Sequence, residues 1–255
     1  MSKPILSYSK HGEGKPVLFL FHGFGQDRHI YDSWLPFLKE KFTVIALDLF
    51  YHGKSTRPYG PLSKEEWKDN FNEILIENEI DRFSILGFSL GGRFAVATAF
   101  AFEDRLEDLY LLAPDAIYLT PWFHAATSFP FKYFFKYFML RPKKMDALVE
   151  WCLRVGIISS YMGDFVKREL GTNENKKRVY ISWNHFKTLG YSKKEINRQF
   201  RTTSYNKTLV LGTKDIVIPP HKILPILEGC DFQVIEKELK HHQIVKEPIG
   251  RELFG

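Results

Sequence analysis

Cysteine is scarce in this sequence of 255 residues, which contains only Cys152 and Cys230. The two do not form a C-x-x-C pair, and no spacing of His and Cys residues is typical of a zinc site. The sequence therefore predicts no bound metal. So few cysteines are typical of a protein from a reducing compartment, although a single disulfide between the two is compatible with the sequence.

Several other recognisable motifs are missing. There is no G-x-x-x-x-G-K-S/T loop and no dinucleotide fingerprint, so we expect no nucleotide or other cofactor. No apolar leader segment follows Met1. The longest apolar stretch, about residues 83–102, contains Gly87, Gly91 and Arg93, which favours a buried strand and helix over a membrane span. We therefore expect no transmembrane segment and a cytoplasmic protein.

Charge is unevenly placed along the chain. The formal net charge is +6, yet residues 118–201 hold 16 basic and 6 acidic side chains, which leaves −4 for the remainder. These basic residues are scattered over several predicted helices without a nucleic-acid motif, so we expect no nucleic-acid partner. Attraction of this segment to an anionic substrate or to a membrane surface stays open.

The strongest positive signal is a G-x-S-x-G pattern with Ser89 at its centre, between Gly87 and Gly91. An apolar run over 83–86 precedes it, and a run of good helix formers over 93–99 follows it. This arrangement of strand, tight turn and helix is typical of a nucleophile elbow. Cβ atoms two residues before and after the apex would collide, so the glycines leave the serine hydroxyl exposed.

Strands and helices alternate along most of the chain. Three strand–helix repeats on almost continuously apolar strands precede residue 118, and a buried strand over 208–212 resumes the order. This predicts an α/β fold with a mostly parallel sheet flanked by helices. Residues 118–202 show helical patterns only, for example over 147–158, and we interpret them as an inserted helical cap. The core domain would then comprise residues 1–117 and 203–255.

Serine needs a base, and the base needs an orienting acid, before it becomes a good nucleophile. On an elbow fold these follow in the order Ser, acid, His, in loops after later strands. Asp215 follows the strand over 208–212, and His241 and His242 follow the last predicted strand. Asp115, which follows an earlier strand, is an alternative acid.

An oxyanion formed at a carbonyl would need two backbone N–H donors. One comes from the residue after the nucleophile and the other from the loop after an early strand, which here are Leu90 and Phe24. Glycines on both sides of Phe24, at 23 and 25, allow close approach to a substrate.

Together these segments resemble the α/β-hydrolase fold family, in its serine-nucleophile type with a helical cap. The matching segments are residues 22–25, 48–55, 87–92, 212–220 and 241–248. The resemblance implies a triad of Ser89, Asp215 and His241, no cofactor, and cleavage of a small to medium acyl ester through an acyl-enzyme. The spacing of seven residues from His241 to Pro248 matches the family and favours His241 over His242.

The sequence leaves several alternatives open. Thioester, amide and carbon–carbon bond hydrolases use the same site, and a non-catalytic protein of this fold would bind a small ligand without turning it over. Serine at position 89 argues against the aspartate nucleophile of epoxide hydrolases and dehalogenases. The segment over 121–140 is rich in aromatic residues, and from residue 131 onward only Lys132 and Lys136 interrupt its apolar surface. A helix this apolar is expected to bury more than one side, one within the cap and another over the cleft above Ser89, where it would favour apolar acyl groups. Oligomeric state is left open.

Overall fold

The computed structural model describes residues 4–57, 60–119, 123, 127–139, 141–157, 163, 166 and 170–255. The chain divides into two compact units. Unit 1 comprises Met1–Pro58, Leu62–Tyr118 and Leu189–Gly255, and unit 2 comprises Tyr59–Pro61 and Leu119–Thr188.

Unit 1 is built on a seven-stranded sheet with the order β1-β3-β2-β4-β5-β6-β7. Only β1 runs antiparallel, against β3, and every other pair is parallel. The strands are β1 Tyr8–His11, β2 Val17–Phe21, β3 Thr43–Leu47, β4 Phe83–Phe88, β5 Leu106–Leu112, β6 Asn206–Gly212 and β7 Gln233–Lys237.

The strands β2, β3 and β4 are almost entirely apolar because they are buried on both faces. All residues of β3 and β4 are buried, and so are those of β2 after Val17. Trp67 and Phe71, one helical turn apart, pack against one face of the sheet. The Trp67 ring contacts the Phe21 ring, and the Phe71 ring contacts the Phe19 ring. The predicted α/β sheet is therefore confirmed.

The helices of unit 1 begin and end at identifiable signals. Ser63 accepts a hydrogen bond from the Glu66 N–H and so caps the helix that begins at Lys64. Residues 28–41 form two elements, because Asp27 caps a short 3-10 turn and Pro36 favours a new helix start. The helices are α1 Leu35–Lys41, α2 Lys64–Glu77, α3 Leu90–Ala101, α7 Lys193–Thr202, α8 Pro220–Ile223 and α9 Glu247–Phe254, with 3-10 turns at Arg28–Tyr31, Glu103–Arg105, Leu224–Ile226 and His241–Gln243.

The regular elements among the described residues of unit 2 are the helices α4 Phe131–Met139, α5 Pro142–Arg154 and α6 Asn173–His185. A 3-10 turn at Lys187–Leu189 spans the point in the sequence where unit 2 ends and unit 1 resumes. The helix predicted over 147–158 thus begins earlier and ends at Arg154, since Gly156 has a φ of 73°. The Phe135 ring of α4 stacks on the Trp183 ring of α6, 5.4 Å between centroids.

The predicted cap over 118–202 and unit 2 share most of their residues. They differ at α7, which belongs to unit 1 because Phe200 packs against the rings of Phe100 and Phe232. The role of this segment as a cap stays a prediction. Among the described residues, no helix has the length and apolar character needed to cross a bilayer.

Candidate active site

Ser89 lies at the turn between β4 and α3 in a strained backbone conformation, with φ 51° and ψ −115°. The neighbouring glycines make this turn possible. A Cβ atom on Gly87 would lie 2.6 Å from the Gly91 carbonyl oxygen, and one on Gly91 would lie 2.1 Å from the Phe21 carbonyl oxygen. Because no side chain fits at either position, the elbow can rest directly against the end of β2.

Three backbone hydrogen bonds hold Ser89 in this conformation. Its N–H donates to the Leu112 carbonyl at 2.9 Å. Its carbonyl accepts from the N–H groups of Gly92, at 2.9 Å, and Asp115, at 2.8 Å. The last residue of β5 and the loop that follows it therefore fix the position of the serine, since together they supply two of the three bonds.

The ends of three strands bring Ser89, His241 and Asp215 together. His241 Nε2 lies 2.9 Å from Ser89 Oγ, and His241 Nδ1 lies 2.6 Å from Asp215 Oδ2. The Asp215 side chain is inaccessible to solvent, and that of His241 is 11% exposed. The hydrogen-bond network assigns the tautomer of His241. The ring proton lies on Nδ1 and is donated to the Asp215 carboxylate, so Nε2 is free to accept a hydrogen bond from the Ser89 hydroxyl.

The loop after β6 orients the Asp215 carboxylate. Its Oδ1 accepts hydrogen bonds from the N–H groups of Val217, at 2.8 Å, and Ile218, at 2.9 Å. These two bonds leave Oδ2 directed at His241. The Phe88 ring lies 5.2 Å from the His241 ring, measured between centroids, and restricts the imidazole further.

The alternative residues are placed elsewhere. Asp115 contacts Arg93, whose guanidinium donates to both its carboxylate, at 2.8 Å, and its carbonyl, at 3.1 Å. Burial raises the pKa of the Asp115 carboxyl, although Arg93 and His241 each act to lower it. His242 is exposed. The structure thus brings Asp215 rather than Asp115 to His241, and His241 rather than His242 to Ser89.

The two predicted oxyanion donors lie on elements that meet at the elbow. Leu90 is the first residue of α3, so its N–H has no acceptor within that helix. Phe24 is on the loop after β2, where the Gln26 side chain accepts from the Gly23 N–H at 2.9 Å. A Cβ on Gly23 would lie 3.0 Å from the Phe88 ring, so this loop passes close to the residue before Ser89.

His22 supports the loop that carries Phe24. Its Nδ1 contacts the Gly23 carbonyl at 2.7 Å, and its Nε2 accepts from the Leu49 N–H at 2.9 Å. Both ring nitrogens are therefore engaged by backbone, and His22 is fully buried. It ties the loop after β2 to the loop after β3.

Sequence reasoning missed the contact between Arg93 and Asp115. The available signal was a single cation in an otherwise apolar helix, because a buried charge needs a partner. It also missed the contacts of Phe88 with His241 and of Gln26 with Gly23. Within the described ranges, no cluster of three His, Cys, Asp or Glu side chains is arranged to hold a metal ion.

Comparison with known families identifies the fold. The sequence model of a family described as alpha/beta hydrolase fold matches residues 16–241. The chain belongs to this family. The matched range includes Ser89, Asp215 and His241, and the resemblance inferred from the sequence is confirmed.

Curated relatives of this α/β-hydrolase match over part of their length. A pimeloyl-(acyl-carrier protein) methyl ester esterase of Legionella pneumophila is 35% identical over 103 residues, 40% of this chain and 38% of that protein. A soluble epoxide hydrolase of Corynebacterium sp. is 32% identical over 107 residues, 42% of this chain and 37% of that protein. The match thus spans little more than a third of the length of these relatives.

A solved structure extends the likeness to nearly the whole fold. A thermophilic esterase from Thermogutta terrifontis superposes with a TM-score of 0.72 at 18% identity, covering 98% of this chain and 92% of that one. At this identity the likeness shows a shared fold.

Proposed function

We propose that this protein is a serine hydrolase that cleaves small to medium acyl esters through an acyl-enzyme. The observation that carries the proposal is the unbroken series of hydrogen bonds from Ser89 Oγ through His241 to Asp215, starting at a strained elbow residue. A protein that only bound ligands would not require such a serine.

The geometry supports a two-stage mechanism. His241 Nε2 takes the proton of Ser89 Oγ as that oxygen attacks the ester carbonyl carbon, and Asp215 stabilises the imidazolium. The N–H groups of Phe24 and Leu90 bind the oxyanion. The intermediate collapses, the leaving alcohol takes the proton from His241, and the acyl group stays on Ser89. In the second stage, His241 takes a proton from water as the water oxygen attacks the acyl carbon. The bond from that carbon to Ser89 Oγ then breaks, Oγ takes the proton from His241, and the carboxylic acid is released.

Ester substrates are favoured by the relatives and by the nucleophile. One curated relative and one solved structure are named as esterases. The second relative described above is named as an epoxide hydrolase. Epoxide hydrolases of similar fold use an aspartate nucleophile, whereas position 89 here is serine. Thioester, amide and carbon–carbon bond cleavage remain alternatives on the same triad.

A fluorophosphonate probe tests the proposal. We expect a single adduct on Ser89, located by mass spectrometry of the digested protein, and no adduct in Ser89→Ala. Ser204→Ala, which removes an exposed hydroxyl in unit 1, is the matched control and should label like the wild type. Absence of labelling in folded wild-type protein would contradict the hydrolase and favour a ligand-binding protein.

Acyl preference is a finer part of the proposal. One side of the aromatic segment over 121–140 was predicted to line the cleft, and residues 121–122, 124–126 and 140 lie outside the described residues. Among the described ones, Phe129, Phe131, Tyr133, Phe134 and Tyr137 are exposed to solvent, so an acyl site would be formed by other residues of the segment. We expect kcat/KM to rise from acetyl to medium-chain p-nitrophenyl esters by up to about fourfold per methylene. A flat or falling series would contradict an apolar acyl site. The cytoplasmic location also stays a prediction.

A further inference from the structure

Helix α4 presents aromatic rings to solvent on its outer face. Five aromatic residues of α4 and of the turn before it have between 39% and 78% of their surface exposed to solvent, which is high for large apolar residues. They are Phe129, Phe131, Tyr133, Phe134 and Tyr137. Isolated apolar side chains are normal at a surface, but a contiguous group of this size is typical of an interaction site.

The opposite face of α4 packs against α6. Met139 is buried, and the Phe135 ring stacks on Trp183 with an angle of 10° between the ring planes. The sequence predicted that a helix so rich in aromatics would bury more than one side. The structure buries one side and exposes the other, so the outer rings do not serve as core.

Cations are interleaved with these rings. Tyr133, Lys136, Tyr137 and Arg141 line a surface cavity of about 370 Å³. The Arg141 guanidinium lies 4.0 Å from the centre of the Tyr137 ring, and Lys144 Nζ donates to the Tyr137 hydroxyl. We call the five exposed aromatics together with Lys136, Arg141 and Lys144 the aromatic–basic surface.

We propose that the aromatic–basic surface docks the protein on membranes that contain anionic phospholipids. Phe, Tyr and Trp rings partition into the boundary between headgroups and acyl chains, and nearby Lys and Arg contact lipid phosphates. The nine residues of α4 span about 14 Å, which suits a helix lying in the plane of this boundary.

Charge argues against a second copy of the chain as the occupant. Residues 128–157 contain 6 basic and 2 acidic side chains, so two copies meeting through this surface would bring like charges together. An anionic bilayer complements the positive charge of this surface and also provides an apolar environment for its aromatic rings. The proposal is independent of the proposed function, because membrane binding is measured without turnover.

Co-sedimentation with sucrose-loaded vesicles tests it, using phosphatidylcholine with 30% phosphatidylserine against phosphatidylcholine alone. We expect the wild type to bind the anionic vesicles at 50 mM NaCl, to release at 500 mM, and to bind the neutral vesicles much more weakly. Lys136→Gln with Arg141→Gln should weaken binding about fivefold for each cation removed. Phe131→Ser with Phe134→Ser should weaken it by about tenfold or more for each ring.

Matched controls lie on unit 1. Lys194→Gln with Lys222→Gln removes two exposed cations there, and Ile76→Ser removes a side chain that is 69% exposed. Both should bind vesicles like the wild type. Circular dichroism and urea unfolding report whether each variant is folded.

Two results would overturn the proposal. One is wild-type protein that stays in the supernatant with anionic vesicles, which would make an acidic protein the next occupant to test. The other is binding that the surface variants and the unit 1 controls reduce equally, which would indicate attraction by net charge alone.

Discussion

Replacing Asp215 by asparagine should abolish most activity while leaving the fold in place. Asp215 Oδ1 accepts two backbone N–H groups, from Val217 and Ile218, and Oδ2 contacts His241 Nδ1 at 2.6 Å. In the variant, the amide oxygen keeps the two backbone donors, so the amide nitrogen faces His241. An NH₂ group donates, so Nδ1 must accept and the ring proton moves to Nε2. A protonated Nε2 cannot take the proton of Ser89.

The size of the effect follows from this tautomer change. We expect kcat to fall by about 10³- to 10⁴-fold, which corresponds to about 4–5.5 kcal/mol of transition-state stabilisation. KM should change little, because Asp215 does not touch the substrate in the proposed mechanism. The free energy of unfolding should fall by only about 0.5–1.5 kcal/mol, since two of the three hydrogen bonds are kept and a weaker neutral bond to Nδ1 replaces the third.

The assay combines steady-state hydrolysis of p-nitrophenyl butyrate with urea unfolding followed by circular dichroism. Asp231→Asn is the matched control, because Asp231 is exposed, and it should behave as wild type in both measurements. A folded Asp215→Asn variant that kept more than about a tenth of the wild-type kcat would refute the proposed role of the carboxylate.

Other variants separate the remaining roles. His241→Ala should lower kcat for ester hydrolysis by several orders of magnitude and His242→Ala should keep most of it, whereas the opposite result would move the base to His242. Asp115→Asn should keep most of kcat, because Asp115 contacts Arg93. Since burial raises the pKa of Asp115, the folded state holds that proton to higher pH. The wild type should therefore lose stability relative to the variant as pH rises from about 4 to the raised pKa, measured by urea unfolding. Gly91→Ala should fail to fold, because its Cβ would lie 2.1 Å from a backbone oxygen, and a soluble, active variant would contradict this.

Much of the fold could be predicted because its local signals agree. The strands β2, β3 and β4 are almost continuous apolar runs, as is typical of strands covered on both faces, and Ser63 marks the start of α2. Element ends were less predictable, since Gly156 and the Asp27 cap decide them locally. The elbow at Ser89 was recognisable because steric constraints fix its glycines.

The choice of acid was harder to predict. Asp115 and Asp215 follow β5 and β6, which are neighbouring parallel strands, so both side chains reach the same edge of the sheet. Only the path of each loop decides which carboxylate meets His241. The outer face of α4 posed a similar problem, because periodicity reports that a helix is rich in apolar residues but not whether each side is covered.

The bonds that hold Ser89 also bear on how the protein is made. Ser89 is held by hydrogen bonds to Leu112 and Asp115, and the N–H of Ala113, which lies between them, donates to the Val210 carbonyl. During synthesis, Val210 is added more than one hundred residues after Ser89. His241 follows later still. A nascent chain thus carries the proposed nucleophile long before the residues that hold it have been added. In the proposed mechanism, Ser89 can become reactive only after His241 has been synthesised, which would spare the growing polypeptide from premature acylation.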